Sequence, residues 1–407
     1  MPVDTTELLN VLRSPSGIDF YPVVIQVLMV LTWAMHMFFI NITIGSLLMT
    51  IYGYVQRDLK WRKLSQKTIK IAIISLSLGI VFGVAPLLFT QVIYDNLWYT
   101  ANNLSAWLVI LFVPIVILAY YAAYFFYFRN QDRSPSWLVI FPLLSFAGIL
   151  YAAAAMHIFS YQELFPDKWV DWYTNGGTTM NTSGWHVYAF SVPRYLLFIL
   201  LSLFVFGIYM KGYAWFFSKR EDMDQNFVAW FGQVGQKLAA VAGALLVLDA
   251  ILYNALQGTL GHPVIWGTIG FVAIVWALLM AWSRSSAGWV APTLVGLAFF
   301  SDLAVGIMRE AIRMIELAKF NHTIYNYPMH LNIFGPILFF GTLGVGIAVF
   351  AFVLYVLYKG GRRAGVYEAS KVETANTLWR FAWFTVVMWL VIFWGTGVIV
   401  LANLNNY

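Results

Sequence analysis

Val30-Leu31-Thr32-Trp33-Ala34-Met35-His36-Met37-Phe38-Phe39-Ile40-Asn41-Ile42-Thr43 is the middle of an apolar run that extends from Phe20 to Gln56. Such a run exceeds the roughly 20 apolar residues that a helix needs to cross a bilayer, so a transmembrane helix is predicted here. A histidine inside a membrane span is costly, and it therefore faces protein and marks a site. At helical spacing, Met29, Thr32, Trp33, His36, Ile40 and Thr43 share one face, the more polar one. A neutral imidazole in a water-poor bundle is the usual axial ligand of haem iron. The other reading of His36 is a hydrogen bond to a neighbouring helix, and spacing alone leaves both open.

The rest of the chain repeats the pattern of that run. Hydrophobic residues make up 61% and charged residues only 10%, which describes a polytopic membrane protein and excludes a large soluble core. Further apolar runs lie near 71–94, 104–127, 136–160, 189–212, 234–256, 263–283, 288–308, 330–358 and 378–403. The expectation is an all-α membrane bundle of about ten transmembrane helices, forming one integral domain over 1–407 with the 161–188 loop as an outer cap. The N-terminal stretch lacks the basic region of a cleavable signal peptide. Eighteen of the 24 Lys and Arg fall in the 57–70, 129–133, 211–237, 284 and 359–380 segments. The other six are Arg13, Lys168, Arg194, Arg309, Arg313 and Lys319. By the positive-inside rule the first group faces the cytoplasm and both termini face out. The net charge of +6 is thus distributed by membrane side, and no nucleic-acid partner is expected. Without cysteine, the chain can form no disulfide, iron–sulfur cluster or thioether-attached haem.

Besides His36, the histidines are His157, His186, His262, His322 and His330, and all five fall at outer helix ends or in outer loops on this topology. His157 and His330 each abut a long helix able to fix the ring, so they are candidate metal ligands as well as interfacial anchors. The other three read as loop anchors. Asp302, Gly306, Arg309, Arg313 and Glu316 recur every three or four residues and form a charged stripe on the eighth span. Asp302 needs a partner, a water cavity or a proton, and Arg309 stands two turns away on the same face. The arginines suit haem propionates or a quinone carbonyl, and equally an internal ion-pair ladder. Asp249 is the other intramembrane carboxylate, and with Asp302 it is a candidate proton or charge relay. Gly-Pro interruptions at 82–86 and 333–336 predict bent helices. No Walker loop, dinucleotide fingerprint or HExxH motif occurs.

The first span, with His36 followed by Phe38-Phe39-Ile40-Asn41-Ile42-Thr43-Ile44-Gly45, resembles the opening helix of subunit I of cytochrome bd quinol oxidases. Leu78-Gly-Ile-Val-Phe-Gly-Val-Ala-Pro-Leu-Leu-Phe-Thr-Gln91 and then Asp95-Asn-Leu-Trp-Tyr99 resemble that family's second helix and following outer loop, and the likeness covers about the first 160 residues. The resemblance implies that His36 binds a high-spin haem b. The family's second haem histidine would fall around 192–194, where this chain has Val-Pro-Arg. The paired glutamates of the third span and the large quinol-binding loop have no counterpart either. What is implied is a shorter bd-like subunit of a respiratory complex in the bacterial inner membrane. Such a subunit passes electrons between quinone and a periplasmic multihaem cytochrome or oxidoreductase, alongside other membrane subunits. The alternative is a cofactor-free membrane anchor or transporter subunit.

Overall fold

The computed structural model describes residues 4–404 apart from 57, 286 and 332–333. A short α1 (Thr5–Val11) precedes α2 (Pro22–Val55) and α3 (Leu59–Ile93), and then come α4 (Asp95–Leu104), α5 (Ala106–Arg129), α6 (Ile140–Gln162) and α7 (Trp169–Thr174). The remaining helices are α8 (Val192–Phe217), α9 (Gln225–Gln257), α10 (Pro263–Ala281), α11 (Val290–Ala318), α12 (Phe334–Gly361) and α13 (Glu373–Leu404). No strand occurs among the described residues. Ten of these helices, all except α1, α4 and α7, are long and apolar enough to cross a membrane. The all-α, multi-pass architecture follows from lipid itself, since a helix satisfies its own backbone amides where no water can.

The basic segment after the first span is not a loop. Asp58 caps α3 by accepting from the Lys60 and Trp61 amides at 2.9 and 3.3 Å, so Lys60, Arg62, Lys63, Lys67 and Lys70 occupy its opening turns. Arg62 is buried there, its guanidinium 3.7 Å over the Tyr54 ring and its Nη2 donating to the Ser134 carbonyl at 3.3 Å. Arg57 lies outside the described residues. Pro86 sits inside α3 without ending it, because the helix runs on to Ile93.

The chain gathers into two units. The first comprises Met1–Ile18, Pro22–Trp215 and Trp230–Pro328, and the second Asp19–Tyr21, Phe216–Ala229 and Met329–Tyr407. Within the first, α2 and α3 run antiparallel and exchange hydroxyl contacts, Thr43 with Ser75 at 2.9 Å and Thr50 with Thr68 at 2.8 Å. Small residues bring helices close enough for such contacts, as expected in lipid. A Cβ on Gly79 would fall 2.7 Å from the Ile40 side chain, and one on Gly45 would fall 2.3 Å from Phe206 of α8. In the 161–188 segment, buried Trp169 donates to the Gln162 carbonyl at 3.0 Å, and the Tyr188 amide donates to the Gln162 side chain at 3.0 Å. In the second unit, Trp389 of α13 packs where a side chain on Gly341 of α12 would stand, and its indole N–H donates to Thr342 at 3.1 Å.

Candidate functional site

Three polar centres occupy the first unit. At the first, the His36 Nδ1 lies 2.8 Å from the Gly79 carbonyl of α3. A carbonyl only accepts, so Nδ1 carries the proton and Nε2 presents the lone pair. The ring sits against Gly83, where a Cβ would come within 2.7 Å of Nδ1, so α3 makes room for the imidazole by having no side chain there. The ring itself is half-buried. The face predicted for this helix divides in two: Met29, His36, Ile40 and Thr43 meet α3, whereas Trp33 turns to α11 and packs on Gly306.

The second centre joins α2, α8 and α11. Asn41 Nδ2 donates to Asp302 Oδ1 at 2.7 Å, and Ser202 Oγ donates to Asn41 Oδ1 at 2.7 Å. All three residues are fully buried. The partner of Asp302 is therefore Asn41 and not Arg309, and its Oδ2 has no hydrogen-bond partner among the described residues. Asparagine suits this place because its amide both donates and accepts.

The third centre lies where α2 begins and α3, α6 and α11 end. Arg313 Nη1 donates to Glu310 at 2.9 Å, and its Nη2 donates to Glu163 at 3.1 Å. The guanidinium also sits 4.4 Å over the Tyr94 ring. Glu310 accepts further from the Tyr94 hydroxyl and from Gln26 Nε2, and Tyr325 in turn donates to Gln26 at 2.5 Å. Burial and the Glu310 carboxylate push the Tyr94 hydroxyl well above its ordinary pKa, which keeps it a donor. Arg309 faces Trp33, 5.5 Å over its ring. The stripe on α11 thus looks inward, with Asp302 at 0% and Arg313 at 2% exposure. Its Arg313 is held in an ion-pair network by two carboxylates that the stripe pattern does not contain. Glu316, at the far end, pairs with Lys319 at 2.5 Å.

Arg194 donates to the His157 carbonyl at 3.2 Å and to Ser160 Oγ at 3.0 Å. It is the arginine at the position where the bd resemblance expects a ligand. Both ring nitrogens of His157 face N–H donors: Nε2 accepts from the Ser191 amide at 3.2 Å, and Nδ1 lies 3.4 Å from Arg194 Nη1. Its ring is thus engaged by the turn into α8. His330 is exposed and belongs to the second unit. His262 caps α10 by accepting from the Val264 amide at 3.3 Å, and His186 bonds Asn181 at 2.9 Å within its own loop. Buried His322 contacts the Tyr327 hydroxyl at 3.1 Å. Asp249 is half-buried and its Oδ2 has no partner among the described residues. No group of three or more His, Asp or Glu among the described residues is arranged to hold a metal ion.

Sequence reading missed Asn41, Ser202, Glu163, Glu310, Gln26 and Tyr94. For Glu310 a signal existed, its spacing of three from Arg313, which brings the two side chains together on a helix. For the others the pairing is between distant helices and leaves no local pattern. No protein-family model matches the chain, and no curated protein matches it at a significant level.

Proposed function

We propose that the chain is a haem b-carrying membrane subunit of a respiratory electron-transfer complex. It lies in the bacterial inner membrane with both termini outside, and it acts between the quinone pool and a periplasmic multihaem cytochrome or oxidoreductase. The observation that carries this reading is the held imidazole of His36. An N–H to a backbone carbonyl on the far nitrogen is the arrangement that orients a metal-ligating histidine and raises its basicity. The glycine opposite leaves the space that a Cβ would fill. The residues present therefore fit one axial ligand, with His36 Nε2 as the donor atom. When bound, the haem supplies one-electron transfer. The chain's own part is to fix the ring by Gly79, to exclude bulk water with the α2–α3 packing, and to hold the neighbouring helices in register.

A reduced-minus-oxidised visible spectrum of the purified protein tests the reading. A b-type band is expected, and His36→Ala should lose it at unchanged recovery of folded protein. Gly83→Ala, which pushes the ring off the Gly79 carbonyl, should shift or weaken the band. A wild-type protein without haem would overturn the proposal. It would favour the second reading, a cofactor-free anchor or transporter subunit in which the same His36–Gly79 bond serves only to tie α2 to α3.

A further inference from the structure

Between Asp171 and Arg194 the chain carries no Asp, Glu, Lys or Arg. This segment leads from α7 into α8, so it lies at one end of the bundle, beside the first turn of α5. It is pinned at that level. The Trp107 amide donates to the Gly184 carbonyl at 3.2 Å, and Ser105 Oγ donates to the His186 carbonyl at 2.7 Å. A Cβ on Gly184 would stand 2.9 Å from that of Ala106, so the backbone lies directly against the start of α5.

The polar groups of the segment turn to one another. Asn181 donates to the Tyr188 hydroxyl and to His186 Nδ1, and Ser183 Oγ donates back to Asn181 at 2.9 Å. Tyr188 stacks between His186 and Trp172. What the segment leaves uncovered is apolar: Trp185 is 62% exposed and Val187 50%. That surface does not stop at the loop. Trp185 stacks on Trp107 of α5, ring centroids 4.5 Å apart, and α5 continues with exposed Ile110 and Val113 at intervals of three. On the other side exposed Val192 and Leu196, four apart, carry it along one face of α8. Those helix faces are the ones a bilayer covers, and the loop joins them where the spans begin.

We infer that the segment around Trp185 and Val187 is an interfacial anchor, seated in the headgroup layer with these two side chains dipped toward the acyl chains. Tryptophan suits that depth, its ring being apolar and its N–H polar. The backbone goes no deeper, since a non-helical segment in hydrocarbon would leave its amides without partners. A soluble partner would carry charge or a polar rim to meet, and this uncharged face runs on into lipid at both edges instead. The inference does not depend on whether His36 holds a haem, nor on which side of the membrane the loop lies.

The chain has no cysteine, so Val187→Cys and Trp185→Cys each give one thiol for a nitroxide label. The purified full-length protein is placed in nanodiscs of phosphatidylcholine and phosphatidylglycerol. Relaxation of the label by oxygen, which concentrates in the bilayer, is compared with relaxation by a water-soluble nickel chelate. Lys168→Cys, exposed just before α7, is the reference. The oxygen-to-nickel ratio at positions 185 and 187 should exceed that at 168 severalfold. Should loss of the Trp107 stack unfold Trp185→Cys, the exposed Val187 position decides alone. Nickel access at 187 equal to that at 168 overturns the proposal. A label at 187 shielded from both reagents overturns it too, because that marks cover by protein and not by lipid.

Discussion

Replacing Arg313 with glutamine should destabilise the protein in a way that reveals which carboxylate depends on it. The guanidinium is 2% exposed and bonds Glu310 at 2.9 Å and Glu163 at 3.1 Å. Removing one partner from a buried ionic cluster costs about 3–5 kcal/mol, because a buried carboxylate loses the group bonded to it. The two carboxylates do not suffer equally. Glu310 keeps donors from Tyr94 and Gln26, whereas Arg313 is the one side-chain partner found for Glu163, whose Oε1 has none among the described residues. Glu163 is therefore the group left stranded. Adding Glu163→Gln to Arg313→Gln should recover all but about 1–2 kcal/mol, the worth of the hydrogen bonds still missing. Adding Glu310→Gln instead should recover less, since Glu163 stays buried and unpaired. The assay is chemical denaturation of the three variants and wild type in the same micelles, read as a mutant cycle. Equal rescue by the two second substitutions would refute the reasoning, as would an Arg313→Gln protein as stable as the wild type.

Burial, with Arg13 nearby, pushes the His322 imidazole down to about 4 from the ordinary histidine value of 6.5, while Asp95 opposes the shift. Because the folded form takes its proton less readily, stability should be complete above pH 6.5 and fall by on the order of 2–3 kcal/mol as pH drops to 4. His322→Gln should flatten that stretch of the stability-versus-pH curve. Asn41→Leu, which strands Asp302 while Ser202 keeps its bond to the Phe198 carbonyl at 2.8 Å, should cost about 1–3 kcal/mol by denaturation, and Asp302→Asn should cost less because the acceptor for Asn41 is retained. Topology is checked at Asp132, which is exposed in the basic turn between α5 and α6: Asp132→Cys should resist a membrane-impermeant thiol reagent in intact cells and react after permeabilisation.

The ten spans were legible because a bilayer imposes one length and one composition on any helix that crosses it, and Phe20 to Gln56 displays both. The inward aspect of Asp302 and Arg313 was legible for a related reason, that charges avoid hydrocarbon. Helix ends were less so. Polar residues such as Lys60 and Arg62 look like a loop, yet they extend α3 because Asp58 supplies the cap and helices outrun the hydrocarbon they cross. What pairs with what was hidden in both polar centres. Asn41 and Asp302 are 261 positions apart, and Glu163 and Arg313 are 150 apart, so no spacing rule connects them. The place of His157 beside a long helix left ligand and anchor both open, and what its ring meets, the Ser191 amide and Arg194, comes from the turn into α8, which no local pattern announces.

The Asn41 junction also limits how the first unit can move. Its two 2.7 Å bonds fix α2, α8 and α11 at a common depth. Sliding any one of them by a turn, about 5.4 Å, would separate the partners in a place where no water waits to replace them. Piston-like travel of these helices along their axes is thereby suppressed. The Gln26–Glu310 bond ties α2 to α11 at a second depth, so rocking of this pair about the junction is restrained as well.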